Sequence, residues 1–154
     1  MRKLMLLLAI LMIGYLYAKQ ITGKVIAVQD GDTITVLKGK ISYRIRLDGI
    51  DCPEKSQPYG NRAKQFTSDM VFGKKVKIIF LSKDRYGRYL GVVHAPNGMI
   101  LNHKLLKAGL AWHYKQYNKE KLLSEMERTA RSNGVGLWAD KNPIPPWEFR
   151  RLFK

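Results

Sequence analysis

Residues 21–28, 33–37 and 41–47 each alternate apolar and polar side chains, and only short turns at Asp30-Gly31 and Lys38-Gly39-Lys40 separate them. That period of two, repeated three times in close succession, predicts a β-meander and leaves little freedom for anything else. In the third run Ile41, Tyr43, Ile45 and Leu47 share one face and Arg44 and Arg46 the other, a face that by spacing alone suits a site or open water equally.

The rest of the chain mixes both periods. Ala63, Phe66 and Met70 recur at helical spacing and Gly73 stops them, predicting a helix over 60–71. Residues 76–81 and 89–93 read as strands flanking a polar loop over 82–88. Helices are expected over 101–108 and 119–132, the second amphipathic through Leu122, Met126 and Ala130. The tail Pro143-Ile144-Pro145-Pro146-Trp147 reads as an extended clasp that packs Trp147. Five short strands with about three helices predict an α+β fold whose core is a small Greek-key barrel. No internal repeat or long linker appears, so 19–154 reads as one domain, with 139–154 a Pro/Trp-rich extension. Residues 1–18 have a basic start and a short apolar core, the pattern of an export signal. Left uncleaved, the same segment would be a membrane anchor. The single cysteine, Cys52, allows no internal disulfide.

Charge narrows the function. The 28 Lys and Arg against 12 Asp and Glu give a formal charge of +16, which favours a polyanionic partner. Yet Asp30, Asp32, Asp48, Asp51 and Glu54 crowd into one stretch of that basic chain. Asp32 and Asp51 stand at turns of the same meander, where two carboxylates would repel unless a cation lay between them. Arg46 and Arg88 are planar, permanently charged forks suited to phosphate oxygens; taken singly, Arg46 paired to Asp48 or Asp51 and Arg88 as a loop charge are the more natural roles. His94, His103, His113 and Cys52 lack the spacing of a zinc site. Trp112, Trp138 and Trp147 suit a core better than a base-stacking platform.

Taken in order, Asp30-Gly31-Asp32-Thr33, residues 46–54, Asp84-Arg85-Tyr86-Gly87-Arg88, Ala108-Gly109-Leu110-Ala111 and Gly136-Leu137-Trp138 resemble the staphylococcal nuclease (thermonuclease) family over about residues 21–138. The resemblance implies an OB-fold five-stranded barrel and a Ca²⁺-dependent phosphodiesterase acting on DNA and RNA and leaving 3′-phosphate ends. It implies Asp32, Asp51 and the backbone carbonyl of Cys52 as calcium ligands; Cys52 stands where the family often has Thr, a change a carbonyl ligand tolerates. It further implies Arg46 and Arg88 as phosphate-binding arginines, Glu54 as general base, Arg85 and Tyr86 as substrate contacts, and either Tyr114 or Tyr117 at the nucleotide end. Lys74, Lys75, Lys115 and Lys119 would then bind backbone without reading sequence. The expected setting is secreted or periplasmic, the expected state monomeric. Two other readings compete: a catalytically silent OB-fold nucleic-acid-binding protein, and a basic protein acting at anionic membrane surfaces.

Overall fold

The computed structural model describes residues 18–153, so the expected export signal lies, apart from Ala18, outside the described residues. The meander is present as β1 (Lys19–Asp30), β2 (Thr33–Lys38) and β3 (Ile41–Leu47), followed by a short β4 (Ile50–Asp51). After helix α1 (Gly60–Val71) come β5 (Lys75–Lys83) and β6 (Tyr89–His94). Helices α2 (Leu101–Lys107) and α3 (Lys121–Ser132) complete the expected set, and an unexpected short strand, β7 (Trp112–His113), lies between them.

Five strands close into a barrel in the order β1-β2-β3-β6-β5, all antiparallel except the β3–β6 seam. Closure depends on β1, which pairs with β5 through Lys19–Lys24 and with β2 through Lys24–Asp30. Register shifts between Val25 and Ala27 and between Val28 and Asp30 bend it from one neighbour to the other. The period-2 faces meet inside, where Val25, Ile34, Val36, Ile45, Ile78 and Val93 are fully buried. The fold is therefore the expected α+β OB-type barrel.

Three departures from the expected pattern have physical reasons. Helix α3 turns Leu123, Glu127 and Ala130 inward and leaves Leu122 exposed. The buried Glu127 accepts the His113 backbone N–H at 2.6 Å and pairs with Lys115 at 3.0 Å, so a charged residue holds a core-facing position that an apolar period cannot reveal. The tail is not an extended clasp: Pro146–Leu152 is a fourth helix, α4, with Pro145 at its N-cap and Pro146 at its first turn, where no N–H is required. Trp147 does pack, stacked on Tyr114 at 5.2 Å. The two-residue strands β4 and β7, which carry no periodic signal, pair as a separate small sheet. Two motif fragments also gain a reason. Gly109 and Gly136 lie backbone on backbone, both with positive φ (62° and 60°), and a Cβ on Gly109 would sit 2.0 Å from the Val135 carbonyl oxygen.

Candidate active site

Asp32 lies in the turn from β1 to β2, where its carbonyl accepts the Leu47 N–H at 2.8 Å. The next residue, Thr33, is the register partner of Arg46 on β3. That pairing points the Arg46 guanidinium back at the turn. Its Nη1 is 3.2 Å from Asp32 Oδ1 and its Nη2 2.8 Å from Asp51 Oδ1 on β4. Nη1 also donates to the carbonyls of Leu47 (3.1 Å) and Ile50 (3.0 Å), so that end of the fork is fully engaged. The Cys52 backbone N–H donates to the other Asp32 oxygen, while its thiol is turned into the interior against Gly31 and Ala63. Side-chain chemistry at Cys52 is thereby removed from the cluster; burial, reinforced by Asp32, also pushes the thiol pKa up.

Burial governs the acids. It pushes the Asp32 pKa up to about 8 against the pull of Arg46, with Asp30 and Asp51 adding to the rise. It also raises Asp51, opposed by Arg150 and Arg46. Arg46 is itself raised, because Asp32 and Asp51 outweigh the burial that disfavours its charge.

Arg150, on α4, is the site residue that sequence reasoning missed. Its Nη2 meets Asp51 Oδ2 at 2.8 Å, and its Nη1 meets Glu54 Oε1 at 2.6 Å and Asp51 Oδ1 at 3.3 Å. The available signal was the Pro145-Pro146 helix start, which puts Trp147 and Arg150 three residues apart on one helical face. Glu54 follows β4 in a loop folded on itself: Gln57 Oε1 accepts the Glu54 N–H at 3.1 Å, and the Glu54 carbonyl accepts the Gln57 N–H at 2.8 Å. That loop ends at Tyr59, whose φ of 68° is left-handed, and at Gly60, where a Cβ would sit 1.9 Å from the Glu54 carbonyl oxygen.

The remaining expected residues stand at the rim. Arg88 immediately precedes Tyr89 and Leu90, the β6 partners of Ile45 and Arg46, so its loop borders the cluster. Its Nε is bonded to Asp84 Oδ2 at 2.7 Å; burial opposes the Asp84 charge slightly, but hydrogen bonds from Arg88 and Tyr86 hold its pKa below the ordinary carboxylate value. Arg85 and Tyr86 are exposed at the tip of that loop and bonded to each other at 2.7 Å. Tyr114 is the tyrosine beside the cluster: burial, with Asp51 and Tyr117 nearby, raises its phenol. Tyr117 stands outside it, exposed and edge-on to Tyr114 at 4.8 Å. His113 is buried between Ser124 (2.9 Å) and Asn118 (3.4 Å). Trp112 and Trp138 pack edge-to-face at 4.4 Å, with Arg131 over both rings.

Three carboxylates, Asp32, Asp51 and Glu54, therefore face two guanidiniums, those of Arg46 and Arg150, and two of the three acids are desolvated. Two desolvated carboxylates sharing one guanidinium form a place where a hard, oxygen-seeking dication can take the position of a proton. Among the described residues no group of three or more His, Cys, Asp or Glu side chains converges as a cage. A cation here would keep much of its own hydration, as a hard dication can and structural zinc does not.

The chain is similar to known proteins over most of its length. A sequence profile described as "Staphylococcal nuclease homologue" matches residues 44–140. A protein of Escherichia coli named "Uncharacterized endonuclease" is 45% identical over 130 residues, covering 84% of this chain and 85% of its own length. A Haemophilus influenzae protein of the same name is 44% identical over 134 residues, covering 86% of this chain and 75% of its own. The "Micrococcal nuclease" of Shigella flexneri is 40% identical over 142 residues, with 86% and 82% covered.

Proposed function

We propose that this chain, which belongs to the staphylococcal nuclease family, is an exported calcium-dependent endonuclease that hydrolyses DNA and RNA with little sequence preference and leaves 3′-phosphate ends. The observation that carries the reading is the pair of buried carboxylates, Asp32 and Asp51, held on the two ends of one guanidinium. Calcium bound by Asp32, Asp51 and the Cys52 carbonyl would supply Lewis-acid charge at the phosphoryl oxygens. Glu54, the half-exposed acid, orients the attacking water and accepts its proton as the new bond to phosphorus forms. The bond to the 5′ oxygen breaks in line, and that oxygen leaves with its bonding pair and takes a proton from solvent water. Arg46 meets the charge that grows on phosphorus, and Arg88 joins it by exchanging Asp84 for a phosphate oxygen. Arg85, Tyr86 and Tyr114 lie where the flanking strand would pass, Tyr117 further out. The apolar leader at 1–18 supports export, and the basic surface supports binding through backbone phosphates alone.

The test is degradation of plasmid DNA and of RNA by the purified protein in Ca²⁺, in Mg²⁺ and in EGTA, beside Glu54→Gln and Arg88→Ala. Cleavage that needs Ca²⁺ and collapses in both variants is the expected result. Nucleic acid retarded but uncut in every condition would make the chain a binding module instead.

A further inference from the structure

Arg150 lies beyond the last residue of the family match, and its place in the site comes from a helix outside the closed barrel. Among the described residues the Glu54 carboxylate has one polar partner, Arg150 Nη1 at 2.6 Å. Asp51, by contrast, is fixed: it is buried, sits on β4, and is held by Arg46 as well. The Arg150 fork thus spans from an immobile carboxylate to one that nothing else orients.

The helix that carries the fork is itself fastened at two points. Trp147 stacks on Tyr114 and meets Trp112 edge-on at 5.7 Å. Gln57, whose Oε1 accepts the Glu54 N–H, donates through Nε2 to the Ile144 carbonyl, tying the Glu54 loop to the tail by a second route.

We propose that Arg150 is a positioning residue of the active site, which sets the Glu54 carboxylate for proton transfer, and that the C-terminal helix is therefore part of the catalytic apparatus. The inference rests on the nuclease reading for the role of Glu54. It has a signature that a merely structural contact lacks. The guanidinium on Asp51 adds a positive charge beside any cation that Asp51 binds, so removing it strengthens cation binding while it loosens Glu54. Loss of fold or of site geometry would weaken both.

The full chain and its Arg150→Met and Arg150→Lys variants would be compared for Ca²⁺ affinity by calorimetry without nucleic acid, and for kcat and KM on an oligonucleotide. In Arg150→Met, Ca²⁺ should bind about tenfold more tightly, while kcat falls about 10²-fold with KM little changed. Arg150→Lys keeps the charge but not the fork, so Ca²⁺ affinity should stay near wild type while kcat remains low. In a Glu54→Gln background, Arg150→Met should cost almost nothing further, because both changes remove one function. The inference is overturned if kcat in Arg150→Met stays within about threefold of wild type, if kcat and Ca²⁺ affinity fall together, or if the two substitutions multiply. A wild-type chain that cleaves nothing would overturn the nuclease reading along with it, whereas an active wild type with insensitive variants overturns this inference alone.

Discussion

Replacing Arg46 by Met isolates what the buried guanidinium does. The side chain is nearly enclosed and makes four contacts: to Asp32, to Asp51, and to the carbonyls of Leu47 and Ile50. Methionine keeps the apolar stem and removes all four. At low pH the acids can take protons, and the loss is chiefly that of the two carbonyl hydrogen bonds, about 2 kcal/mol together. As pH rises the same change also withdraws the counter-charge from whichever of the two desolvated carboxylates ionises, which by analogy with broken buried ion pairs raises the cost to about 4 kcal/mol. For a domain of this size that corresponds to a fall in Tm of about 15 °C at pH 8 and about half as much at pH 5. Urea titrations of wild type and variant in EGTA at both pH values would measure it. A destabilisation equal at the two pH values, or below about 1 kcal/mol at pH 8, would refute the claim that Arg46 is the internal counter-charge of Asp32 and Asp51.

The same burial gives the wild-type protein a pH dependence. Since the folded Asp32 pKa is raised to about 8, its contribution to stability is complete below the ordinary aspartate range and is lost as pH rises through 8. Stability in EGTA should therefore fall between pH 5 and 8 by up to about 1.4 kcal/mol per pH unit from this group, and a millimolar dication should flatten the slope; calorimetric Tm values with and without Ca²⁺ would check both. Gly60→Ala forces a methyl to 1.9 Å from the Glu54 carbonyl oxygen, so it should cost about 2 kcal/mol in urea unfolding and lower kcat by shifting the Glu54 loop. Trp147→Ala removes the stack on Tyr114 from a helix of only seven residues, too short to persist alone. Backbone amides of 148–152 should then exchange with solvent several-fold faster, and kcat should fall as in Arg150→Met while barrel amides keep their protection.

The barrel was legible in the sequence because period-2 alternation reports directly which face of a strand is buried, and it did so for β1, β2 and β3 within a residue or two. Asp32, Arg46 and Asp51 were legible for a related reason. Polar residues at meander turns have few places to go, and the register brings the turn at Asp32 onto Arg46. What was not legible depends on contacts between elements distant in sequence. β4 and β7 are two residues each and exist only because Asp51 and Trp112 pair across some sixty positions. On α3 Ala130 is buried and Met126 packs on the core as expected, but Leu122 is exposed, and Glu127 is buried for its bonds to His113 and Lys115, which hydropathy counts against burial. Arg150 was missed because it is an unremarkable basic residue among 28, and its meaning comes only from where Trp147 anchors its helix.

Within the site, exposure divides the work. The Asp51 and Asp32 side chains are 2% and 6% exposed and Arg46 12%, whereas Glu54 and Arg150 are 39% and 37% exposed. Groups that must hold a fixed charge gain from exclusion of water, since their fields are then weakly screened. A group that must exchange a proton with water cannot be shut in, and so it needs another means of being held still. The barrel supplies rigidity for the inner set through strand register and main-chain bonds. At the rim no strand is available, and an arginine on a separately anchored helix does that work for Glu54. Substitutions in the two layers should consequently separate: Arg46→Met lowers stability and activity together, while Arg150→Met lowers kcat with little change in Tm. If both substitutions were to move Tm equally, this division between an inner structural layer and an outer working layer would be wrong.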